Sequence, residues 1–100
     1  MTRSRAYKET HLTRRFEKSY RRLSTQVQEQ CDDALEALVE EPLSPGLHLK
    51  PIRPGNRYFE ARVNNGDRLI IYPVSGTAYV MDVVSHNDIK KWGNAAAPIL

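Results

Sequence analysis

The stretch of sequence at 58–85 decides the fold, because it contains three strand-like segments joined by two tight turns. Val, Ile, Tyr and Phe are frequent in these segments, and such residues favour pleated, half-buried backbone. Asn-Asn-Gly and Ser-Gly are turn signals that reverse the chain between paired strands. The sequence therefore predicts a three-stranded antiparallel meander. Its parts are YFEARV at 58–63, NNG at 64–66, RLIIYPV at 68–74, SG at 75–76 and TAYVMDVVS at 77–85.

The first strand of this meander alternates between two kinds of side chain. Phe59 and Ala61 fall on one face, whereas Tyr58, Glu60 and Arg62 fall on the other. We therefore expect one face to pack against a core and the other to be available for chemistry. The third strand is the most apolar, which predicts a central position covered by helices.

Two helices are predicted upstream of the meander. Thr13 is placed to cap a helix at 14–23, and Ser24 or Thr25 to cap a second helix that ends at Pro42. Apolar residues recur at helical spacing along both, which predicts a helical hairpin. A short, weakly apolar segment at 6–12 is a candidate first strand. The recurring apolar positions are Phe16, Tyr20 and Leu23, then Val27, Cys31, Ala34, Leu35 and Leu38.

The chain changes character at 42–56, where prolines and glycines alternate with basic residues. We predict an extended loop whose leucines, Leu43, Leu47 and Leu49, require cover from a core. After the third strand, Ser85 begins a short helix that Gly93 ends. The result is a single α+β domain at 1–100, with a helical hairpin packed on a small, mainly antiparallel sheet and a short C-terminal helix. Residues 94–100 are expected to form a flexible tail.

Charge is unevenly distributed along the chain. The 15 Lys and Arg residues outnumber the 12 Asp and Glu residues, for a net charge of +3. The segment 31–41 has carboxylates as its only charges, which is typical of a solvated helix face. A basic set follows it, includes strand residues and is the better candidate for contact with an anionic partner. Its members are Lys50, Arg53, Arg57, Arg62, Arg68, Lys90 and Lys91.

Composition excludes several classes of protein. No apolar run approaches the roughly 20 residues of a membrane span. The basic residues at 1–5 precede no apolar signal segment, so we expect a cytoplasmic location. Cys31 is the single cysteine, which excludes an internal disulfide and favours a packing role. Because the sequence has no glycine-rich phosphate loop, nucleophile elbow or paired-cysteine site, we expect neither a metal nor another cofactor.

Arg68 and His86 carry the most chemical information. Metal-free cleavage of RNA needs a base for the 2′-hydroxyl proton, a cation for the charged transition state and an acid for the departing 5′-oxygen. Arg68 is the candidate cation, because a guanidinium stays charged and donates parallel hydrogen bonds to phosphate. Its structural alternative is an ion pair with Asp67, Glu60 or Asp82. His86 is the candidate for proton transfer, since imidazole titrates near neutrality, and its alternative is a capping role.

Glu60 and His48 are the candidates for the remaining proton transfer. Glu60 projects from the polar face of its strand, where a solvated or salt-bridged carboxylate is the alternative. His48 lies in the basic loop beside Lys50. Tyr58 and Trp92 are candidates for stacking on an unpaired base, with capping of the core as the alternative. The remaining basic residues are expected to contact the backbone of an RNA strand.

Over 12–92 the pattern resembles the RelE/ParE superfamily of toxins from bacterial toxin–antitoxin pairs. FEKSYRRL at 16–23 is similar to the first helix of that family, and EPLSPGL at 41–47 to the segment after its second helix. YFEARV at 58–63, followed by GDRLIIY at 66–72, is similar to its hairpin, in which an arginine opens the second strand. VVSHND at 83–88 is similar to its last strand, which often ends in histidine.

The resemblance implies one of two activities. RelE-like members are ribosome-dependent endoribonucleases that enter the A site and cut mRNA, whereas ParE-like members poison DNA gyrase. Arg68 matches the arginine that stabilises the phosphate in RelE-like members, and His86 falls where several members keep a histidine that acts as general acid or base. The chain departs from the pattern at 59–61, which lacks the lysines of some members, and at Lys90, where others carry an aromatic residue.

We therefore expect a toxin of a toxin–antitoxin system that cleaves mRNA on the ribosome. A ParE-like gyrase inhibitor is the first alternative, and an inactive family member is the second. The resemblance also implies a cognate antitoxin, whose amphipathic segment would fold on binding and cover the basic cleft.

Overall fold

A computed structural model describes residues 7–100 of the chain. Predictions that concern 1–6, namely the start of the first strand and the basic residues at the amino terminus, lie outside the described residues. None of the described helices has the length and apolar character needed to cross a membrane.

Five strands and three helices make up the described structure, as an α+β architecture with a helical hairpin and a short C-terminal helix. The predicted fold class is therefore confirmed. Two short 3₁₀ turns, Pro45–Leu47 and His86–Asp88, complete it. The elements in chain order are β1 Glu9–Leu12, α1 Arg14–Arg21, α2 Thr25–Ala37, β2 Lys50–Pro51, β3 Phe59–Arg62, β4 Asp67–Val74, β5 Thr77–Ser85 and α3 Lys90–Gly93.

The strands form one mixed sheet in the order β1-β5-β4-β3-β2. β1 is parallel to β5, and all other neighbours are antiparallel, as the meander required. The middle strand is β4, so the prediction that β5 is central needs correction: β5 is an interior strand that lies between β1 and β4. Sequence analysis also missed β2, because a two-residue strand that contains Pro51 shows no periodicity and lies within the predicted loop.

Side-chain caps begin both long helices. The Thr13 hydroxyl accepts a hydrogen bond from the backbone nitrogen of Phe16 at 3.2 Å and donates one to the Val80 oxygen of β5 at 2.8 Å. Ser24, rather than Thr25, caps α2 by accepting from Val27 at 3.3 Å. α2 ends at Ala37, five residues before Pro42, so the proline does not terminate it. The chain turns instead at Leu38, whose side chain is fully buried.

Two separate cores cover the two faces of the sheet. On one face, which we call the hairpin face, side chains of β4 and β5 pack against α1 and α2. Leu47 is buried in this core, and Leu43 and Leu49 pack against the core. The prediction that the core covers the leucines of the 42–56 loop is therefore confirmed. The largest fully buried side chains of this core are Phe16, Leu38, Leu69, Ile71 and Val80.

The opposite face, which we call the α3 face, is also covered. Ile70 of β4 packs with Ile52 and Tyr58 against Ile89 and Trp92 from the C-terminal segment. The expectation of an open chemical face beside Tyr58 and Glu60 is therefore wrong over this part of the sheet. Alternation along one strand cannot show that a later helix returns to cover its second face.

Close backbone contact holds α3 against the loop before β3. The Gly55 nitrogen donates to the Gly93 oxygen at 2.9 Å, and a Cβ at Gly93 would overlap the Arg53 oxygen. We expect Gly93→Ala to lower the free energy of unfolding by about 1–3 kcal/mol, because the backbones must move apart. Urea unfolding monitored by the single tryptophan measures this change.

Gly46→Ala is the matched control, since its new methyl group would have the Ser44 hydroxyl oxygen as its nearest neighbour, at an ordinary 3.6 Å. We expect it to change stability by less than about 0.5 kcal/mol. Equal effects of the two substitutions would contradict the close packing of α3.

Cys31 is fully buried in the hairpin-face core, which confirms its packing role. Burial, with smaller effects of Asp32 and Asp67, raises the pKa of its thiol from 9.0 to about 12. The thiol therefore stays protonated at pH 8. Between pH 9 and 12 the unfolded chain loses this proton before the folded chain does, so stability should fall as the pH rises.

We accordingly expect a water-soluble thiol reagent at pH 8 to label the native protein slowly, because only the exposed thiolate reacts. Labelling should accelerate with urea in step with unfolding. A native rate close to that of the urea-unfolded chain would show that Cys31 is accessible.

Candidate functional site

Arg68 lies near the start of β4 on the α3 face. Its Nη1 atom donates to the backbone oxygens of Asn64 at 2.6 Å, Asn65 at 3.2 Å and Asp67 at 3.0 Å. Its Nε atom lies 3.5 Å from Oε1 of Glu60, and the side chain is 14% exposed. The ion pair named as the structural alternative for Arg68 is therefore present, with Glu60 as its partner.

Glu60 is buried in β3, opposite Ile70, rather than solvated. Its carboxylate faces Arg68, and Lys50 of β2 lies directly opposite it on the other side. Arg62 pairs in register with Arg68 in the next row of the sheet. Directly paired residues project from the same face. The side chains of Lys50, Arg62 and Arg68 are thus placed around a single buried carboxylate.

The turn between β3 and β4, at 63–66, positions both of the main candidates. The Asn64 Oδ1 atom accepts from the backbone nitrogens of Gly66 and Asp67, each at 2.8 Å, and its Nδ2 atom donates to Gln30 of α2 at 2.8 Å. The His86 nitrogen donates to the Gly66 oxygen at 2.8 Å. Arg68 and His86 therefore both donate hydrogen bonds to this turn, at the same end of the sheet. The Asn64 side chain stabilises the turn.

His86 is exposed where β5 ends and the chain enters a 3₁₀ turn. The predicted Ser85 cap is not formed, because the Ser85 hydroxyl contacts Oδ2 of Asp88 at 3.3 Å instead of a backbone nitrogen. The hydrogen bond that the His86 backbone nitrogen donates to the Gly66 oxygen fixes the position of the His86 backbone. The His86 residue is exposed to solvent.

His48 is exposed at the end of the Pro45–Leu47 turn, in a left-handed backbone conformation with φ of 48°. Its backbone nitrogen donates to the Pro45 oxygen at 3.1 Å. The turn that ends at His48 places Leu47 in the hairpin-face core, whereas Arg68 lies on the α3 face. Among the described residues, no hydrogen bond connects His48 to Arg68 or to His86, so the structure does not assemble these histidines into one pair.

The remaining predicted contact residues lie around the rim of the α3 face, and all are exposed except Arg62, which is partly buried. Arg62 donates to Oδ1 of Asn65 in the β3–β4 turn. Arg57 donates from Nη1 to the Ala95 oxygen at 3.1 Å. Lys91 lies 3.6 Å from Asp88. Arg53, Lys90 and Lys50 complete the set.

Tyr58 and Trp92 belong to the core. Their rings are therefore not free to stack on a base, and the alternative named above, a role in covering the core, applies to both. Tyr58 is 2% exposed, and its hydroxyl donates to the Ala96 oxygen at 2.6 Å. Trp92 packs edge-on against Tyr58 with ring centroids 4.9 Å apart. These contacts arise because α3 folds back over the sheet, which spacing along the sequence does not reveal.

Arg15 is a residue of this face that the sequence analysis missed. Its Nε atom lies 3.0 Å from Oδ2 of buried Asp82, and its guanidinium lies 4.8 Å above the Trp92 ring. Such a cation–π contact is worth about 0.5–1 kcal/mol at an exposed site. Asp82 also accepts from the Val83 nitrogen at 2.8 Å. A carboxylate within an otherwise apolar strand was the available signal for a charged partner.

A cavity of about 370 Å³ lies away from these residues. It opens beside α1 and is lined by Leu12, Phe16, Glu17, Tyr20, Arg21 and Asp32. None of the predicted site residues lines it. Across the part of the chain that the structure describes, no three His, Cys, Asp or Glu side chains are grouped as metal ligands would be.

Known proteins resemble this chain in their solved structures but not in their sequences. No protein-family model and no curated protein matches the chain. Among solved structures, the toxin–antitoxin complex RelBE2 from Mycobacterium tuberculosis contains a similar chain, with a TM-score of 0.65, 19% identity and coverage of 80% of this chain and 99% of that one.

Two further solved structures are similar over comparable lengths. A conserved hypothetical protein from Helicobacter pylori gives a TM-score of 0.60 at 15% identity, covering 79% of this chain and 94% of that one. YafQ from E. coli gives a TM-score of 0.56 at 14% identity, covering 80% and 94% respectively. At these identities the likeness establishes architecture, and the chain has the fold of RelE-type toxins.

Proposed function

We propose that this protein is the toxin of a toxin–antitoxin system and that it cleaves mRNA on the ribosome. The observation that supports this best is the convergence of Arg68 and His86 on the β3–β4 turn. Nη1 of Arg68 and the His86 nitrogen bond to neighbouring carbonyls of the same turn, on a fold shared with RelE-type toxins.

In the proposed reaction, the RNA 2′-oxygen loses its proton and attacks the adjacent phosphorus, and the bond to the 5′-oxygen breaks. Arg68 stabilises the negative charge that builds on the phosphate oxygens. His86, charged beside the phosphate, donates a proton to the departing 5′-oxygen. The nucleotide is left as a 2′,3′-cyclic phosphate, so atoms and charge balance without another reactant.

Glu60 and His48 remain the two candidates for the base. Glu60 is already on the same face as Arg68, at 3.5 Å, but a base that is engaged by a cation must exchange that contact for the 2′-hydroxyl. His48 is exposed and needs only movement of its loop to approach the RNA. The cleavage assay described below distinguishes them: of Glu60→Gln and His48→Gln, the substitution at the base should slow cleavage more.

A cognate antitoxin is the proposed protein partner. The similar chain from M. tuberculosis was solved as a toxin–antitoxin complex. The rim of exposed cations on this chain, with a formal net charge of +3, is suited to an acidic amphipathic segment that folds as it binds. Such a segment would compete with RNA for the same rim.

Primer-extension mapping of a reporter mRNA, with purified protein added to a translating extract, tests the ribonuclease proposal. We expect discrete cuts within codons only when ribosomes are present. Arg68→Lys keeps the charge beside Glu60 but loses the planar fork, and His86→Gln loses the titratable group. Each should slow cleavage about 10²–10⁴-fold, the range for a lost oxyanion donor or proton-transfer group.

Asn87→Ala is the matched control, because Asn87 is an exposed neighbour in the same turn as His86. It should cleave at the wild-type rate. Arg68→Lys is used in place of alanine because removal of one partner from a buried ion pair costs about 3–5 kcal/mol and would confound activity with folding. Cleavage by the Arg68 and His86 variants at the control's rate would refute their assignment.

Gyrase inhibition is the second candidate, and one observation favours it. Arg68 is held by Glu60 and three carbonyl oxygens, which suits a structural arginine on a non-catalytic binding surface. Growth arrest with induction of the DNA-damage response and intact mRNA would support this function in place of cleavage.

A further inference from the structure

Four aromatic side chains lie in one row across the α3 face. Tyr79 of β5 pairs in register with His11 of β1 on one side and with Tyr72 of β4 on the other. Tyr58 precedes β3 and continues the row, with its ring 5.4 Å from that of Tyr72. The His11 and Tyr79 rings are 4.9 Å apart and inclined by 41°. Three strand spacings give the row a length of about 14 Å.

This row changes from buried to exposed along its length. Tyr58 is covered by Trp92, whereas Tyr72 and Tyr79 are partly exposed and His11 is exposed. α3 therefore covers one end only. We call the other end, formed by His11, Tyr79 and Tyr72, the aromatic strip. In the part of the chain that the structure describes, the exposed large hydrophobic residues are Leu12, Ile99 and Leu100, none of them in the strip.

The chemistry of the strip favours a nucleobase over an apolar protein segment. Rings that also carry polar atoms stack on bases, and a base of any type presents a π-face to them. Charge agrees with this choice, because the exposed Arg15 side chain lies on the same face, over the Trp92 ring.

The strip is also correctly placed relative to the proposed site of cleavage. Tyr72 and Arg68 are four residues apart in β4 and lie on the same face, which separates them by about 13 Å. The C-terminal segment packs on Ile70 between them. A short single strand passing the edge of α3 would reach both positions, with its phosphate backbone near Arg15.

We propose that the aromatic strip binds an unpaired base of single-stranded RNA, beside the phosphate held by Arg68. The inference rests on the proposed RNA substrate, but it concerns binding and does not require cleavage. It assigns Tyr79 and His11 as base-stacking residues. Tyr72, which pairs with Tyr79 on the buried side of the strip, is assigned as the residue that holds the Tyr79 ring in position.

Fluorescence anisotropy of a labelled eight-nucleotide RNA, 2′-O-methylated so that it resists cleavage, tests the proposal on the purified protein at fixed salt. Tyr79→Ala and His11→Ala should each weaken binding roughly 5- to 150-fold, which corresponds to about 1–3 kcal/mol for one stacked base. Tyr79→Phe keeps the ring and should bind as the wild type does. An abasic strand with the same phosphates should bind weakly and be insensitive to Tyr79→Ala.

Leu12→Ala is the matched control, since Leu12 is an exposed neighbour of His11 that lines the cavity beside α1. It should leave RNA affinity unchanged. Circular dichroism verifies that each variant is folded, and the exposed His11 position keeps the test valid if Tyr79→Ala is unstable. Wild-type affinity in folded His11→Ala and Tyr79→Ala would overturn the proposal.

The two proposals fail in different ways. Strip-dependent RNA binding without ribosome-dependent cuts would support the strip and refute the mRNA-cleavage proposal. Cleavage that survives both strip substitutions, with unchanged oligonucleotide affinity, would refute the strip alone.

Discussion

Cover on both faces of the β3–β5 meander is the constraint on which the rest of this structure depends. The helical hairpin buries Leu69, Ile71 and Val80 on one side, and α3 returns to bury Ile70 on the other. Because both faces of the sheet are shielded from water, a buried carboxylate on either face requires a cationic partner. Glu60 has Arg68 and Asp82 has Arg15. Arg68 and Arg15 therefore each stabilise a buried carboxylate of the α3 face.

If Arg68 also binds phosphate, as proposed, its existing contacts limit how that phosphate can be recognised. One nitrogen of the guanidinium is used by the turn and another faces Glu60, so an incoming phosphate must share or displace contacts that already exist. Displacement of a buried counter-ion makes binding weak until other contacts with the RNA contribute. Under the proposed function, this arrangement would favour a strand that is held at several points over a free nucleotide.

Local signals accounted for much of the fold. Thr13 and Ser24 act within one helical turn, and Asn64 with Gly66 reverses the chain within three residues, so helix starts and the β3–β4 turn were predictable. The parallel pairing of β1 with β5, the two-residue β2 and the return of α3 depend on contacts far apart in sequence. They left no periodic pattern, so the burial of Glu60 was not predicted, and a core position for Tyr58 and Trp92 could be named only as an alternative to base stacking.

The two outer edges of the sheet differ in what they offer another chain. β2 has only two residues, and Pro51 lacks a backbone N–H, so an added strand would find almost no ladder to extend at that side. Open-ended stacking of sheets requires two usable edges on every copy. The β2 side of the folded sheet therefore gives little support to the edge-to-edge addition of further copies.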